Sequence, residues 1–156
     1  MNKTNAMRQL DKAGIAYEPI EYEVDENDLS GMHIAKETGM DPQIMFKTLV
    51  ARGDKNGLLV FCIPVNCELD LKKCAVAAKD KRVELVAVKE LLGLTGYIRG
   101  GCSPIGMKKK YPTFFDETAI LYDRITVSAG VRGCQLLLDR NELIRFVNAT
   151  TCDITV

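Results

Sequence analysis

The sequence predicts an α/β fold: a single domain over residues 1–156, with a mixed central β-sheet of roughly six to seven strands flanked by helices. Three observations predict it. Apolar runs of strand length alternate with segments of helical period. Gly53-Asp54-Lys55-Asn56-Gly57 joins two of those runs as a hairpin, while other runs are separated by helices, so antiparallel and parallel pairs coexist. The chain has 156 residues, 47% of them hydrophobic, which is enough for one buried core.

The elements follow in order. Residues 4–14 have helical period, with Met7, Leu10 and Ala13 on one face and Thr4 or Asn5 as cap. Gly14 ends that helix, and residues 15–24 alternate like a strand. Asp25-Glu26-Asn27-Asp28 is a solvated loop. Ser30 then caps a helix over residues 31–38, closed by Gly39. Asp41-Pro42 starts a short turn or helical segment that runs into a strand at 46–51. Residues 58–64 form the second, largely buried strand of the hairpin. A helix over 70–79, capped by Asp70, puts Leu71, Cys74, Ala75 and Ala78 on one face. Residues 83–86 are a short strand and 88–92 a short helix. Further strands lie at 113–116, 125–128 and 135–138, and a last helix at 141–147 opens at Asp139 or Asn141.

Composition narrows the function classes. Lys and Arg number 21 and Asp and Glu 21, so no overall field attracts nucleic acid and any polyanion site must be a local patch. No apolar run approaches the ~18–20 residues of a membrane span, and Met1-Asn2-Lys3-Thr4-Asn5 leads into no signal-peptide core. These features predict a soluble, cytoplasmic protein with no membrane partner. The six cysteines form no C-x-x-C pair and lie far in sequence from the single histidine, His33, so zinc-finger spacing is absent and no metal or cofactor is expected. Cys62, Cys74 and Cys134 stand among apolar neighbours as small core residues.

The segment Tyr97-Ile-Arg-Gly-Gly-Cys-Ser-Pro-Ile-Gly-Met-Lys-Lys-Lys110 carries the most information. Its glycines allow positive φ and close approach to a ligand, and Arg99 with Lys108, Lys109 and Lys110 adds positive charge. By itself it is equally a glycine-bearing connection with a solvated basic end. Cys102, among glycines and near cations, is a candidate nucleophile of a thiol-dependent enzyme, though nothing in the sequence brings His33 beside it as a base. Asp116 and Asp139 read as turn or cap residues.

Four blocks carry a resemblance. They are Phe46-Lys47-Thr48-Leu49, Glu68-Leu69-Asp70-Leu71-Lys72-Lys73, the stretch from Thr95-Gly96-Tyr97 to Gly101-Cys102-Ser103-Pro104-Ile105-Gly106, and Val127-Ser128-Ala129-Gly130-Val131-Arg132-Gly133. In this order and spacing the chain resembles the YbaK/EbsC family of aminoacyl-tRNA editing proteins, nearly end to end. Within that family it is most similar to the bacterial Cys-tRNA(Pro) deacylases. The resemblance implies a fold like the prolyl-tRNA synthetase editing domain. It also implies an ester hydrolase acting in trans on mischarged tRNA, with prolyl-tRNA synthetase as partner. Such an enzyme is needed because a pocket cannot strongly reject a near-isostere of proline by binding alone.

The resemblance also assigns residues. Lys47, otherwise a strand lysine at a sheet edge, corresponds to the family's central lysine, with Thr48 after it. Gly100 and Gly101 match the loop that holds the aminoacyl end. Tyr22, Ser128 and Arg132 match a pocket tyrosine, a pocket serine and the basic residue of the second glycine turn. Lys72, Lys73, Arg99, Lys108 and Lys109 are expected on the tRNA backbone, where contacts add affinity without sequence specificity. Three positions depart from the pattern: Gln135 stands where one member has a pocket aspartate, Cys102 replaces an aliphatic residue, and Ala129 replaces a glycine. In the cysteine-specific branch the substrate's thiol attacks its own ester, and the protein supplies orientation and oxyanion stabilisation. Two alternatives stand beside this reading: an Ala-tRNA(Pro) deacylase that activates water, and a non-catalytic module that binds the tRNA end or the synthetase.

Overall fold

Capping side chains set the helix starts where the sequence places them. The structure is a computed structural model that describes residues 2–156. Thr4 accepts from the Met7 amide to open α1 (Asn5–Ala13), and Gly14 closes it in the left-handed conformation. Ala6, Met7 and Leu10 form its buried face; Ala13, expected with them, is exposed because the last turn runs past the core. β1 (Tyr17–Glu21) is shorter than the expected 15–24, although the Tyr22 amide still reaches the Gly133 carbonyl at 3.0 Å. Ser30 caps α2 (Gly31–Thr38), and Asp41 caps a 3₁₀ turn at Pro42–Ile44.

β2 (Phe46–Gly53) and β3 (Gly57–Pro64) form the expected hairpin, with Phe46 opposite Pro64 and Gly53 opposite Gly57. α3 (Leu71–Ala78) starts at Asp70, whose carboxylate accepts from the Lys72 and Lys73 amides. Cys74 and Ala75 are its buried positions; Leu71, expected on that face, lies in the first turn and is exposed. The chain continues through β4 (Val83–Leu85), α4 (Val88–Thr95), β5 (Thr113–Asp116), β6 (Arg124–Ser128) and β7 (Cys134–Asp139). It ends with α5 (Arg140–Phe146), capped by Asp139, and β8 (Thr150–Cys152).

Among the described residues the strands number eight and divide between two sheets. A mixed sheet runs β4-β2-β3-β5-β8, with β3–β5 and β5–β8 parallel, and a smaller antiparallel sheet runs β1-β7-β6. The two meet at one parallel bridge between Met45 and Thr126. β3 is apolar along its length because both its faces are covered. Val60 and Cys62 face the larger core with Phe46, Phe115, Val127 and Leu136, while Leu59, Phe61 and Ile63 face Cys74, Ala75, Val83 and Ile154. Cys134 is buried in the larger core as well, and all six cysteines are free.

Asp116 ties the C-terminal segment to this frame. Buried at the end of β5, it accepts from the Thr118 amide at 3.2 Å, the Thr118 hydroxyl at 2.6 Å and the Ile154 amide at 3.2 Å. Asp116→Ala deprives the buried Ile154 amide and the half-buried Thr118 amide and hydroxyl of their acceptor and should cost about 2–3 kcal/mol of unfolding free energy. Urea denaturation of the variant checks this; an unchanged midpoint would show that the three bonds contribute nothing net.

Candidate active site

Where the two sheets part, a cavity of about 440 Å³ opens, within the usual size for a small-molecule site. Leu29, Ser30 and Met32 line it, as do residues 85–88 and Leu91. The first strand of the hairpin contributes Met45 through Val50, including Lys47 and Thr48, and Arg99, Gly100, Cys102, Ser128 and Gln135 complete the lining. Six of the residues expected in the site or on the tRNA therefore share one cavity: Lys47, Thr48, Arg99, Gly100, Ser128 and Gln135.

β2 positions Lys47 opposite Ile63 and Thr48 opposite Cys62, with the Thr48 hydroxyl 3.6 Å from the Cys62 sulfur. Among the described residues no carboxylate lies within ion-pair distance of Lys47, so its charge is available to a ligand. Gly100 sits at φ 86, a conformation only glycine adopts without strain. No backbone carbonyl of the described residues accepts from its amide. Gly101 is different: it is buried, its amide donates to the Ile98 carbonyl at 3.0 Å, and it does not line the cavity. Its place is behind the wall, supporting Gly100.

Tyr22 and Arg132 also lie behind that wall. They line a narrow crevice with Asp25, Asp28 and His33, which shares Leu29 and Gly100 with the main cavity. Arg132 Nε donates to the Arg99 carbonyl at 2.9 Å and so clamps the two glycine turns together. The Ser128 hydroxyl accepts from the Gly130 amide at 3.1 Å, which fixes the second turn from the cavity side. Lys72, Lys73, Lys108 and Lys109 stand outside the cavity. Lys73 is held by Asp153 at 3.1 Å and the Thr155 carbonyl at 2.8 Å, and the Lys108 side chain lies over Gly96. Leu29, Met45, Val86 and Leu91 went unremarked in the sequence because apolar cavity walls and core positions have the same pattern.

Cys102 does not have the surroundings of an activated thiol. Burial pushes its pKa up to about 12, although a hydrogen bond with Thr95 acts in the opposite direction. His33 lies in the crevice between Asp28 at 3.7 Å and Glu37 at 3.9 Å, and it lines no part of the main cavity. Among the described residues no three His, Cys, Asp or Glu side chains are grouped to hold a metal. No helix among them is long and apolar enough to cross a membrane.

A family model described as the aminoacyl-tRNA editing domain matches residues 32–146 of this chain. The chain belongs to that family. A protein of Enterococcus faecalis named "Putative Cys-tRNA(Pro)/Cys-tRNA(Cys) deacylase EbsC" is 46% identical over 153 residues, covering 98% of this chain and 93% of that one. Among solved structures, one described as a "putative trans-editing enzyme for prolyl tRNA synthetase" superposes with a TM-score of 0.84 at 21% identity, covering 99% of both chains. Another, the hypothetical protein APE2540, gives 0.86 at 19% identity over 96% of this chain and 97% of its own. These two likenesses establish the editing-protein fold.

Burial of the thiols has a pH consequence. Cys62, Cys74 and Cys102 are each pushed up to about 12, chiefly by burial, whereas an unfolded thiol titrates near 8.5. Between those values the folded protein binds more protons than the unfolded chain. Their contribution is therefore complete below about pH 8.5 and is lost as pH rises towards 12. Urea midpoints measured at pH 7.5 and pH 10 should fall with rising pH, and less steeply in Cys62→Ala relative to its own neutral value. A midpoint that rises over this interval would contradict the buried, protonated thiols.

Proposed function

We propose that this chain clears mischarged Cys-tRNA(Pro) by hydrolysing its aminoacyl ester in trans. The observation that carries the reading is a small cavity with an unpaired ammonium and a free glycine amide, but no paired nucleophile and base. Such a cavity suits a substrate that brings its own nucleophile. The 46% identical relative, whose name gives Cys-tRNA(Pro) as substrate, supports the same choice.

In this mechanism the cysteinyl sulfur attacks its own ester carbonyl. A C–S bond forms, the C–O bond to the terminal ribose breaks, and the thiol proton ends on the ribose oxygen. The products are free tRNA and a cyclic thioester, which water then opens to cysteine. Lys47 and the Gly100 amide stabilise the carbonyl oxygen as it gains charge, and Thr48 and Ser128 hold the aminoacyl group against rotation. Gly101 and Arg132 act by fixing the turn that carries Gly100. Arg99, exposed at the cavity mouth, meets the phosphate beside the terminal nucleoside, with Lys108 and Lys109 further along the same loop. Lys73 is engaged by Asp153, and it leaves Lys72 as the cation of α3 free to meet tRNA. Balanced net charge gives little selectivity among tRNAs, so prolyl-tRNA synthetase supplies it, in the cytoplasm where the mischarged product forms.

Deacylation of Cys-, Ser- and Ala-tRNA(Pro) at matched concentrations tests the reading. Cysteine should be released and serine spared, because a hydroxyl is the poorer nucleophile. Lys47→Ala should lower the rate about 10²-fold or more while circular dichroism stays unchanged. Release of alanine would point to activated water, and no cleavage of any ester would make the protein a binding module.

A further inference from the structure

Thr126 of β6 is fully buried at the seam between the sheets, bridged in parallel to Met45. Its hydroxyl donates to Oε1 of Gln135 across the β6–β7 ladder, at 3.3 Å. Gln135 is itself buried, pairs with Ser128 and lines the cavity beside it. A glutamine amide can present either its acceptor or its donors to a ligand. Here Thr126 holds the oxygen. Among the described residues no fully buried side-chain nitrogen or oxygen lacks a partner, so Nε2, for which the protein offers no acceptor, opens to the cavity. Beside Ser128 the lining thus presents N–H donors, and no carboxylate of the described residues lines the cavity.

We propose that Thr126 is a positioning residue that turns the Gln135 amide so that Nε2–H donates to the sulfur of the substrate cysteine. The inference rests on the deacylase reading above. A hydrogen bond donated to sulfur favours the thiolate over the thiol, and the thiolate is the attacking form. A carboxylate at the same point would do the reverse, repelling the developing charge. Seryl substrate gains little, because its hydroxyl stays protonated near neutral pH. The proton that leaves sulfur passes to water and is returned to the departing ribose oxygen, so the balance of the reaction is unchanged. Gln135 is in this way the residue that separates thiol from hydroxyl, and Thr126 is what makes it a donor.

The test is the pH dependence of Cys-tRNA(Pro) deacylation by wild type, Thr126→Val, Thr126→Ser and Gln135→Glu. Thr126→Val keeps the side-chain shape but frees the amide to turn. Its kcat should fall about tenfold, the loss of one well-placed hydrogen bond, with KM within about twofold. The acid limb of its profile should move to higher pH, since the thiol is no longer favoured as thiolate. Thr126→Ser should restore rate and limb, and Gln135→Glu should move the limb upward further. Should the valine variant fail to fold, the serine and glutamate variants still decide. Wild-type rate and limb in Thr126→Val or Gln135→Glu, or no restoration by serine, would overturn the inference. Turnover by the wild type keeps the two claims apart: without it the deacylase reading falls, and with it only the role of Thr126 is at stake.

Discussion

Gly101 packs so closely on the second glycine turn that an added Cβ would stand 3.1 Å from the Val131 carbonyl carbon and 3.2 Å from the Arg132 nitrogen. Two backbones meet there with no side chain between them. The Arg132 bond to the Arg99 carbonyl closes the same contact from the other side. Gly130 takes part as well, since a Cβ on it would lie 2.9 Å from the Tyr97 ring. This contact holds in place the wall that carries Gly100, whose amide donates to no backbone carbonyl among the described residues. Loops of this length are otherwise mobile, and an oxyanion donor is effective only when it needs no reorganisation.

The division into two sheets explains why there is a cavity to wall. A continuous sheet would have filled the space between β2 and β6 with paired backbone. With one bridge, Met45–Thr126, the ladder lapses and Lys47, Thr48, Ser128 and Gln135 are left around an opening. The lining is largely apolar with few polar groups, so electrostatic interactions inside are stronger than in water. That suits chemistry in which the protein contributes charge stabilisation and orientation while the nucleophile arrives with the substrate. The raised thiol of Cys102 belongs to the same picture: it is a wall residue, kept neutral by its burial.

Local signals in the sequence were enough for the elements that depend on local chemistry. Thr4, Ser30, Asp70 and Asp139 each cap the helix that follows them, and Gly53 to Gly57 makes the expected turn. What depends on distant partners was not legible. β8 is three residues long, Thr150–Cys152, and exists only because it lies parallel to β5. Residues 15–24 alternate throughout, but ladder pairing with β7 ends at Glu21. The separation into two sheets follows from the register at Met45 and Thr126, which no window of sequence contains. In the site, Lys47, Thr48, Gly100 and Ser128 stand inside the four blocks and Gln135 beyond the last of them, as a departure from the family's pattern, whereas Thr126 looks like any β-branched strand residue. Gly101 and Arg132 stand inside the same blocks and Tyr22 outside them, yet all three lie one layer back, a distinction that only the folded structure reveals.

In the proposed function this cavity holds the aminoacyl end with its carbonyl facing Lys47 and Gly100. A crystal structure with the cysteinyl amide of 3′-amino-3′-deoxyadenosine, which keeps the shape of the ester and resists cleavage, tests it most directly. The carbonyl oxygen should lie within hydrogen-bond distance of the Lys47 ammonium or the Gly100 amide, and the sulfur within reach of Gln135 Nε2. An aminoacyl group bound outside the cavity, or a carbonyl carbon set against the Cys102 sulfur, would contradict it.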